Sequence, residues 1–329
     1  MRREADQESM SEPQAETQTE FSIHPKTVIG EVALSVASLD RQIAFYRDYL
    51  GLSVHWQNGN EAALGAPEIG NRGGSTVLRL KEEPTFRRYR GVTGLYHFAA
   101  VLPNRRELAR AIGRLIALQY PNSPTDHIMT KTTYFDDPED NGVELYAESP
   151  EDGAWSMANG RFETRRADGT LSSGREPLDV EALLGHLMKE DRLDVPAPAE
   201  TRVGHVHLHV RDIDEAVAFY HGVLGFDVMG SAQAFRMAFV SAGGYHHHIG
   251  LNTWQGEGAP APPPEALGMR YFEVRLPNKT ELERVVKRVH EAGISAEQME
   301  GGVLVRDPSQ NGVRLASNES RQLGTERNP

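Results

Sequence analysis

The chain has 329 residues, of which 39% are hydrophobic and none is cysteine, and its formal net charge is −12. That length allows two domains with substantial cores, and the acid excess argues against a broad surface for nucleic acid or anionic membrane. Without cysteine, disulfides and thiolate metal sites are excluded, so any metal must be held by His, Asp or Glu.

The first stretch, MRREADQESMSEPQAETQTE, has no hydrophobic segment. It reads as the start of a polar disordered tail (residues 1–22) rather than a signal peptide. No apolar run approaches the length needed to span a bilayer, and a cytoplasmic location is the default expectation. An internal repeat then organises the chain. Ile29–Val54, IGEVALSVASLDRQIAFYRDYLGLSV, returns as Val203–Val228, VGHVHLHVRDIDEAVAFYHGVLGFDV. At the same offset, LYHFAAVLPNRRELARAIGRL from Leu95 returns as MRYFEVRLPNKTELERVVKRV from Met269. The spacing is too long for a solenoid and points to paired modules.

Each module opens on an alternating strand, such as Val32, Leu34 and Val36, followed by an amphipathic helix. Gly51 and Gly225 stand where a left-handed helix stop is expected, and short strands separated by Gly, Asn and Pro complete each unit. The order is β-α-β-β-β, four times over, in an α+β chain. Residues 23–149 form a first half of two modules, 150–200 a linker, 201–317 a second half, and 318–329 a second disordered tail. Phe45, Tyr46, Phe219 and Tyr220 read as core packing.

Module two ends in TDHIMTKTTYFDDPEDNGVELY. It predicts a strand from Met129 to Phe135, a turn, and a strand from Val143 to Tyr146. Asp137-Pro138 with Asn141-Gly142 supplies the turn, and Asn-Gly is expected to take the positive φ. Glu144 lies in a strand that otherwise wants burial, which is costly for a carboxylate unless it is paired or bound to metal. His127 and Tyr134 lie just upstream. In the linker, Leu178–Leu193 predicts one amphipathic helix, with His186 on its surface or in its packing, and VPAPAET predicts an extended spacer. His205, His207 and His209 alternate on the first strand of module three, so they share a face. His246, His247 and His248 precede Ile249. Strand alternation there would put His246 and His248 on one face and His247 on the other. A set of two histidines and one carboxylate suits Fe(II) and dioxygen, because its vacant positions can take substrate and O₂ together.

The four modules, the FY…LG(L/F) helix ends and the DPxxNG turns resemble the vicinal oxygen chelate superfamily of glyoxalases, bleomycin-resistance proteins and type I extradiol dioxygenases. The strings GLYHFAAVLPNRRELA, GHVHLHV and SAGGYHHHIGLNTW are most similar to the catechol 2,3-dioxygenases of the Bacillus type. The resemblance implies four βαβββ modules paired into two curved, barrel-like sheets. It implies an extradiol dioxygenase that uses Fe(II), with Mn(II) as an alternative, and O₂ as co-substrate. The substrate would be a small aromatic diol, with no nucleic acid or membrane partner, and the chain a homo-oligomer. Extradiol ligands are one histidine from each first strand and a glutamate from the last strand of a module pair. The first half offers Glu31, His97 and Glu144 at those positions; the second offers His205, Tyr271 and Arg314. Neither half holds a full set. Pairing module two with module three gives metal ligands His97, His205 and Glu144, and leaves Glu31, Tyr271 and Arg314 in a metal-free pseudo-site. The same resemblance implies catalytic roles for Tyr134 and His127, and for an acid–base histidine that is His247 first and His248 second, with His246 as outer support.

Two other readings stay open. A glyoxalase-type isomerase normally uses four ligands with two glutamates, and a histidine tract stands where that class has glutamate. A drug-sequestering protein of the bleomycin-resistance type lacks metal ligands altogether.

Overall fold

The computed structural model describes residues 21–68, 74–158 and 161–319. The expected terminal tails fall almost wholly outside these residues. Module one comprises β1 (Val28–Val36), α1 (Leu39–Leu50), β2 (Ser53–Asn58), β3 (Glu61–Gly65) and β4 (Thr76–Glu82). Module two comprises β5 (Gly94–Leu102), α2 (Arg105–Ala117), β6 (Ser123–Asp126), β7 (Thr130–Asp136) and β8 (Gly142–Glu148). The linker holds β9 (Gly153–Ala158), β10 (Arg161–Arg166), β11 (Leu171–Ser172), β12 (Glu176–Pro177) and α3 (Val180–Leu184). Module three is β13 (Arg202–His209), α4 (Ile213–Val217) running into a π-helical turn (Ala218–Val223), β14 (Asp227–Ala232), β15 (Met237–Ser241) and β16 (Ile249–Asn252). Module four is β17 (Gly268–Leu276), α5 (Lys279–Glu291), β18 (Glu297–Met299), β19 (Gly302–Arg306) and β20 (Gly312–Ser317).

Local chemistry explains the helix limits. Side chains of Ser38, Asn104, Asp212 and Asn278 accept from the backbone N–H three residues on and cap α1, α2, α4 and α5. Gly51 (φ 77°) and Gly225 (φ 85°) take the left-handed stop that their positions predicted.

The modules pair across the two halves of the chain. β1 lies antiparallel to β17, joining modules one and four in an eight-stranded sheet, and β5 lies antiparallel to β13, joining modules two and three in a nine-stranded sheet. Both sheets are open, and modules two and three pair within one chain. A continuous apolar cluster that includes Phe98, Val143, Phe272 and Val313 joins the sheets. Among the described residues no helix is long and apolar enough to cross a membrane.

The DP turns fasten one sheet to the other. Asp137 Oδ1 accepts from the backbone N–H of Glu139 and Asn141, and its Oδ2 accepts from Tyr46 Oη of α1 at 2.6 Å. Asp307 repeats the arrangement with Ser309, Asn311 and Tyr220 Oη. Tyr46 and Tyr220 are fully buried, as expected of core residues, but their hydroxyls do this second job.

Two local expectations are corrected. The positive φ of each turn falls on Asp140 (60°) and Gln310 (65°), not on the Asn-Gly pair. Gly142 is required for a different reason: a Cβ there would lie 2.1 Å from the Tyr96 carbonyl oxygen. The linker helix covers only Val180–Leu184 of the predicted Leu178–Leu193. Beyond it, Arg106 and Arg110 of α2 hold Asp191, and Arg114 donates to the carbonyls of Leu193 and Val195. These tertiary anchors take over from the helical ladder. The linker also folds a three-stranded sheet, β9–β10–β11, that no sequence pattern announced. His186 is exposed.

Candidate metal centre and its cavity

Strand register assembles the centre. In the nine-stranded sheet Tyr134 is opposite Glu144, Glu144 opposite Ala99, and Ala99 opposite His205. Residues in such a row point to one face, and His97, two residues before Ala99, shares it. Ala99 leaves room at the centre of the row. Glu144 Oε2 lies 3.1 Å from His97 Nε2 and 3.0 Å from His205 Nε2. Ligand atoms of all three residues lie within 4.8 Å of one another, and all three are buried.

The electrostatics suit a cation. Burial pushes the Glu144 carboxyl up, but the nearby charges of His205 and His97 and the hydrogen bond from His205 outweigh it and hold Glu144 well below the usual carboxylate range. Burial, opposed by Glu144, lowers His97 below the usual histidine value. Thr132 Oγ1 donates to Glu144 Oε1 at 2.8 Å, so the other carboxylate oxygen is left to face the imidazoles. His97 Nε2 is buried at ion-pair distance from Glu144, yet makes no hydrogen bond of acceptable geometry. Two imidazoles and a carboxylate aimed at one point, with ring nitrogens unsatisfied, fit a divalent first-row metal.

The trio opens onto a cavity of ≈ 1240 Å³. His127 and Tyr134 line it, linked in a chain: His127 Nδ1 donates to the Gly174 carbonyl at 2.6 Å, which leaves Nε2 to accept from Tyr134 Oη at 2.9 Å. Burial and the nearby Glu144 push the Tyr134 phenol well up, so it stays protonated. His246 and His247 also line the cavity, and together with His205 they form a second cluster of potential ligands. Burial holds His246 down at about 3 and His247 well below the usual value, so both imidazoles are neutral at neutral pH.

His248 corrects the expectation from alternation. It does not line the cavity; its Nδ1 accepts from Ser241 Oγ and the Ala242 N–H. β16 begins only at Ile249, so the histidine tract is not pleated strand, and His246 and His247 both reach the cavity. His207, given no role from sequence, lines the cavity edge-on to His97, with its Nε2 buried and unpartnered. Gly250 makes this possible, since a Cβ there would lie 2.8 Å from His207 Cγ. His209 is satisfied by Asn252 Oδ1 at 2.7 Å.

The corresponding face of the other sheet is filled by ion pairs. Arg79 Nε donates to Glu31 Oε1 at 2.8 Å and Tyr271 Oη donates to the same oxygen at 3.1 Å. Arg314 is drawn instead onto Glu273, which also holds Arg275. The expected neighbourhood of Glu31 and Tyr271 is therefore present, with Arg314 bonded elsewhere.

The family model described as the Glyoxalase/Bleomycin resistance protein/Dioxygenase superfamily matches residues 28–145 and 202–315. Catechol-2,3-dioxygenase of Bacillus subtilis (strain 168) is 40% identical over 289 residues, covering 87% of this chain and 96% of the relative. A crystal structure from the same bacterium superposes with a TM-score of 0.60 at 14% identity, covering 91% of this chain and 86% of that one. Maize glyoxalase I superposes with a TM-score of 0.54 at 15% identity over 92% of this chain and 98% of its own. At those identities the structural likenesses speak to the fold alone.

Proposed function

The chain belongs to the glyoxalase/bleomycin resistance protein/dioxygenase superfamily, and within it we propose that it is an Fe(II)-dependent extradiol dioxygenase that opens a catechol ring beside its two hydroxyls. The observation that carries this reading is the approach of His97 Nε2 and His205 Nε2 to one oxygen of Glu144 at the wall of a large cavity. The catechol-2,3-dioxygenase identity of a relative matched over nearly its full length supports it. The trio has a single carboxylate, which disfavours a glyoxalase site built on two glutamates, and it is a ligand set that a purely sequestering protein does not need.

In this reading His97, His205 and Glu144 hold the metal. Fe(II) in such a set supplies Lewis acidity and open positions for substrate oxygens and O₂. The remaining work falls to the chain's own side chains. Tyr134 Oη, fixed by His127, orients a catechol oxygen by hydrogen bonding. His247, neutral and facing the cavity, takes a proton from an incoming hydroxyl and later returns one. The aromatic side chains that line the cavity, Trp155, Phe235, Phe239 and Trp254, stack on the ring and exclude water.

The test is reconstitution of metal-free protein with Fe(II) under anaerobic conditions, followed by catechol and air. The expected outcome is the yellow ring-opened product with one O₂ consumed per catechol. An iron-loaded protein that leaves catechol and oxygen untouched would overturn the proposal.

A further inference from the structure

The cavity is larger than the roughly 300–1,000 Å³ usual for small-ligand pockets, so a bare diol would leave much of it empty. Its wall is assembled from unlike parts. Trp155, Phe235, Phe239 and Trp254 contribute aromatic surface, and the linker contributes a tight turn around Gly174. This turn is well built. Gly174 has φ 71°, its N–H donates to Ser172 Oγ, and its carbonyl accepts from His127 at 2.6 Å. The linker is thus tied to the same histidine that holds Tyr134.

Arg175 follows that glycine and lines the cavity; among the described residues it is the one lysine or arginine on the wall. Its backbone N–H and carbonyl are engaged with Ser173 Oγ, but among the described residues its guanidinium makes no hydrogen bond or ion pair. The adjacent Glu176 cannot neutralise it, because that carboxylate is held by Arg166 and Ser172. Four carboxylates also line the cavity. Glu144 belongs to the metal set, Asp137 is consumed by its turn, and Asp140 pairs with Arg90 at 3.4 Å, which leaves Asp136 as the acid that could oppose an anion.

We propose that Arg175 makes this site selective for catechols that carry a carboxylate on a short side arm, the guanidinium pairing with that carboxylate while the ring lies against the aromatic wall. The linker would then be the specificity element, laid over a centre built by the modules. A planar guanidinium recognises a carboxylate through paired N–H donors, an interaction that a neutral isostere does not reproduce.

The inference rests on the ring-cleaving reading, so its test uses two readouts. In the first, kcat/KM of the iron-loaded protein is compared for 3,4-dihydroxyphenylacetate, its methyl ester and 3,4-dihydroxyphenethylamine. The acid should exceed the ester by about tenfold or more, as expected for a charge-assisted contact. In Arg175→Met that ratio should collapse towards one, mostly through KM. Arg175→Lys should recover part of the preference, and Arg175→Glu should shift it towards the amine. A merely structural effect would lower all three substrates together and leave the ratio intact. The second readout is calorimetric titration of metal-free protein with phenylacetate and its methyl ester, which needs no turnover and should show the same order and the same loss in Arg175→Met. Catechols opened with no charge preference would overturn the inference and spare the ring-cleaving reading. A preference of the wild type for the amine would assign the dominant field to Asp136 and also overturn it. Phenylacetate binding that depends on Arg175, without any ring opening, would uphold anion recognition and sink the dioxygenase.

Discussion

The three residues proposed to hold the metal stood out in the sequence as residue types before the structure brought them together. A glutamate inside an apolar strand and a histidine at the head of two modules are costly choices for a core, and the repeat matched their positions across the chain. What could not be read was which neighbours hold them. Thr132 reaches Glu144 only because β7 and β8 pair in one particular register. His247 and His248 show the limit from the other side: the alternation rule assumes pleated backbone, and the tract lies before β16. The two histidines now make a clean contrast. His247→Gln should keep full metal occupancy and lose roughly 10²–10⁴-fold in turnover, the usual range for a proton-transferring side chain, and Tyr134→Phe, which removes the hydroxyl that orients the catechol oxygen, should likewise keep its metal and lose turnover. His248→Gln, which breaks only the bonds from Ser241 and the Ala242 N–H, should keep turnover within a few-fold. Metal analysis beside steady-state kinetics checks both. Normal turnover in His247→Gln, with iron bound, would remove that residue from the chemistry.

At the scale of elements, the hairpin and its turn were visible because Asp-Pro and Asn-Gly are strong local signals, whereas the purpose of the glycine was not. Gly142 is opposite His97 in the β5–β8 register, and its missing side chain lets β8 come close to Tyr96. Gly312 stands in the same relation to Arg270, where a Cβ would lie 2.2 Å from the carbonyl oxygen. Each Gly→Ala substitution should therefore cost about 1–3 kcal/mol through overpacking, seen as a lower denaturant midpoint. The two should diverge in a second measurement. Gly142→Ala shifts the strand that carries Glu144 and should also weaken metal binding, whereas Gly312→Ala lies in the ion-paired sheet and should leave metal affinity near the wild-type value. Equal effects on metal would mean that the strain spreads through both sheets. The linker helix shows the complementary failure of local reading. Its pattern continued to Leu193, but arginines of α2, far away in sequence, took the groups that would have continued it.

The whole molecule uses its duplication asymmetrically, one sheet keeping a metal-type centre and the other an ion-pair cluster. Burial would push the Glu31 carboxyl up, but Arg79, Arg314 and Tyr271 together hold it below its ordinary value. A depressed carboxyl contributes stability that is present above its unfolded-state value and lost as pH falls through its folded-state value. Glu31→Gln should therefore be less stable than the wild type at pH 7, and the gap should narrow as unfolding is measured at lower pH through the carboxylate range; a constant gap would mean that packing, not charge, sets the difference. The pairing of modules leads to a stronger expectation. Because β5 pairs with β13 and β1 with β17, a cut in the linker yields two fragments that each hold half of both sheets. A separate fragment covering residues 21–190 would keep His97 and Glu144 but lose His205 and expose an unpaired edge on β5. A fragment covering residues 191–319 would expose β13 and β17. Exposed apolar edges of this kind invite aggregation. Each fragment made alone should be insoluble or unfolded and should bind no metal tightly, while the two made together should co-purify as one species with metal bound. Size-exclusion chromatography with metal analysis decides it. A first fragment that is monomeric, cooperatively folded and metal-bound on its own would show that the two halves are independent domains, and that the strand pairing across them is not what builds the centre.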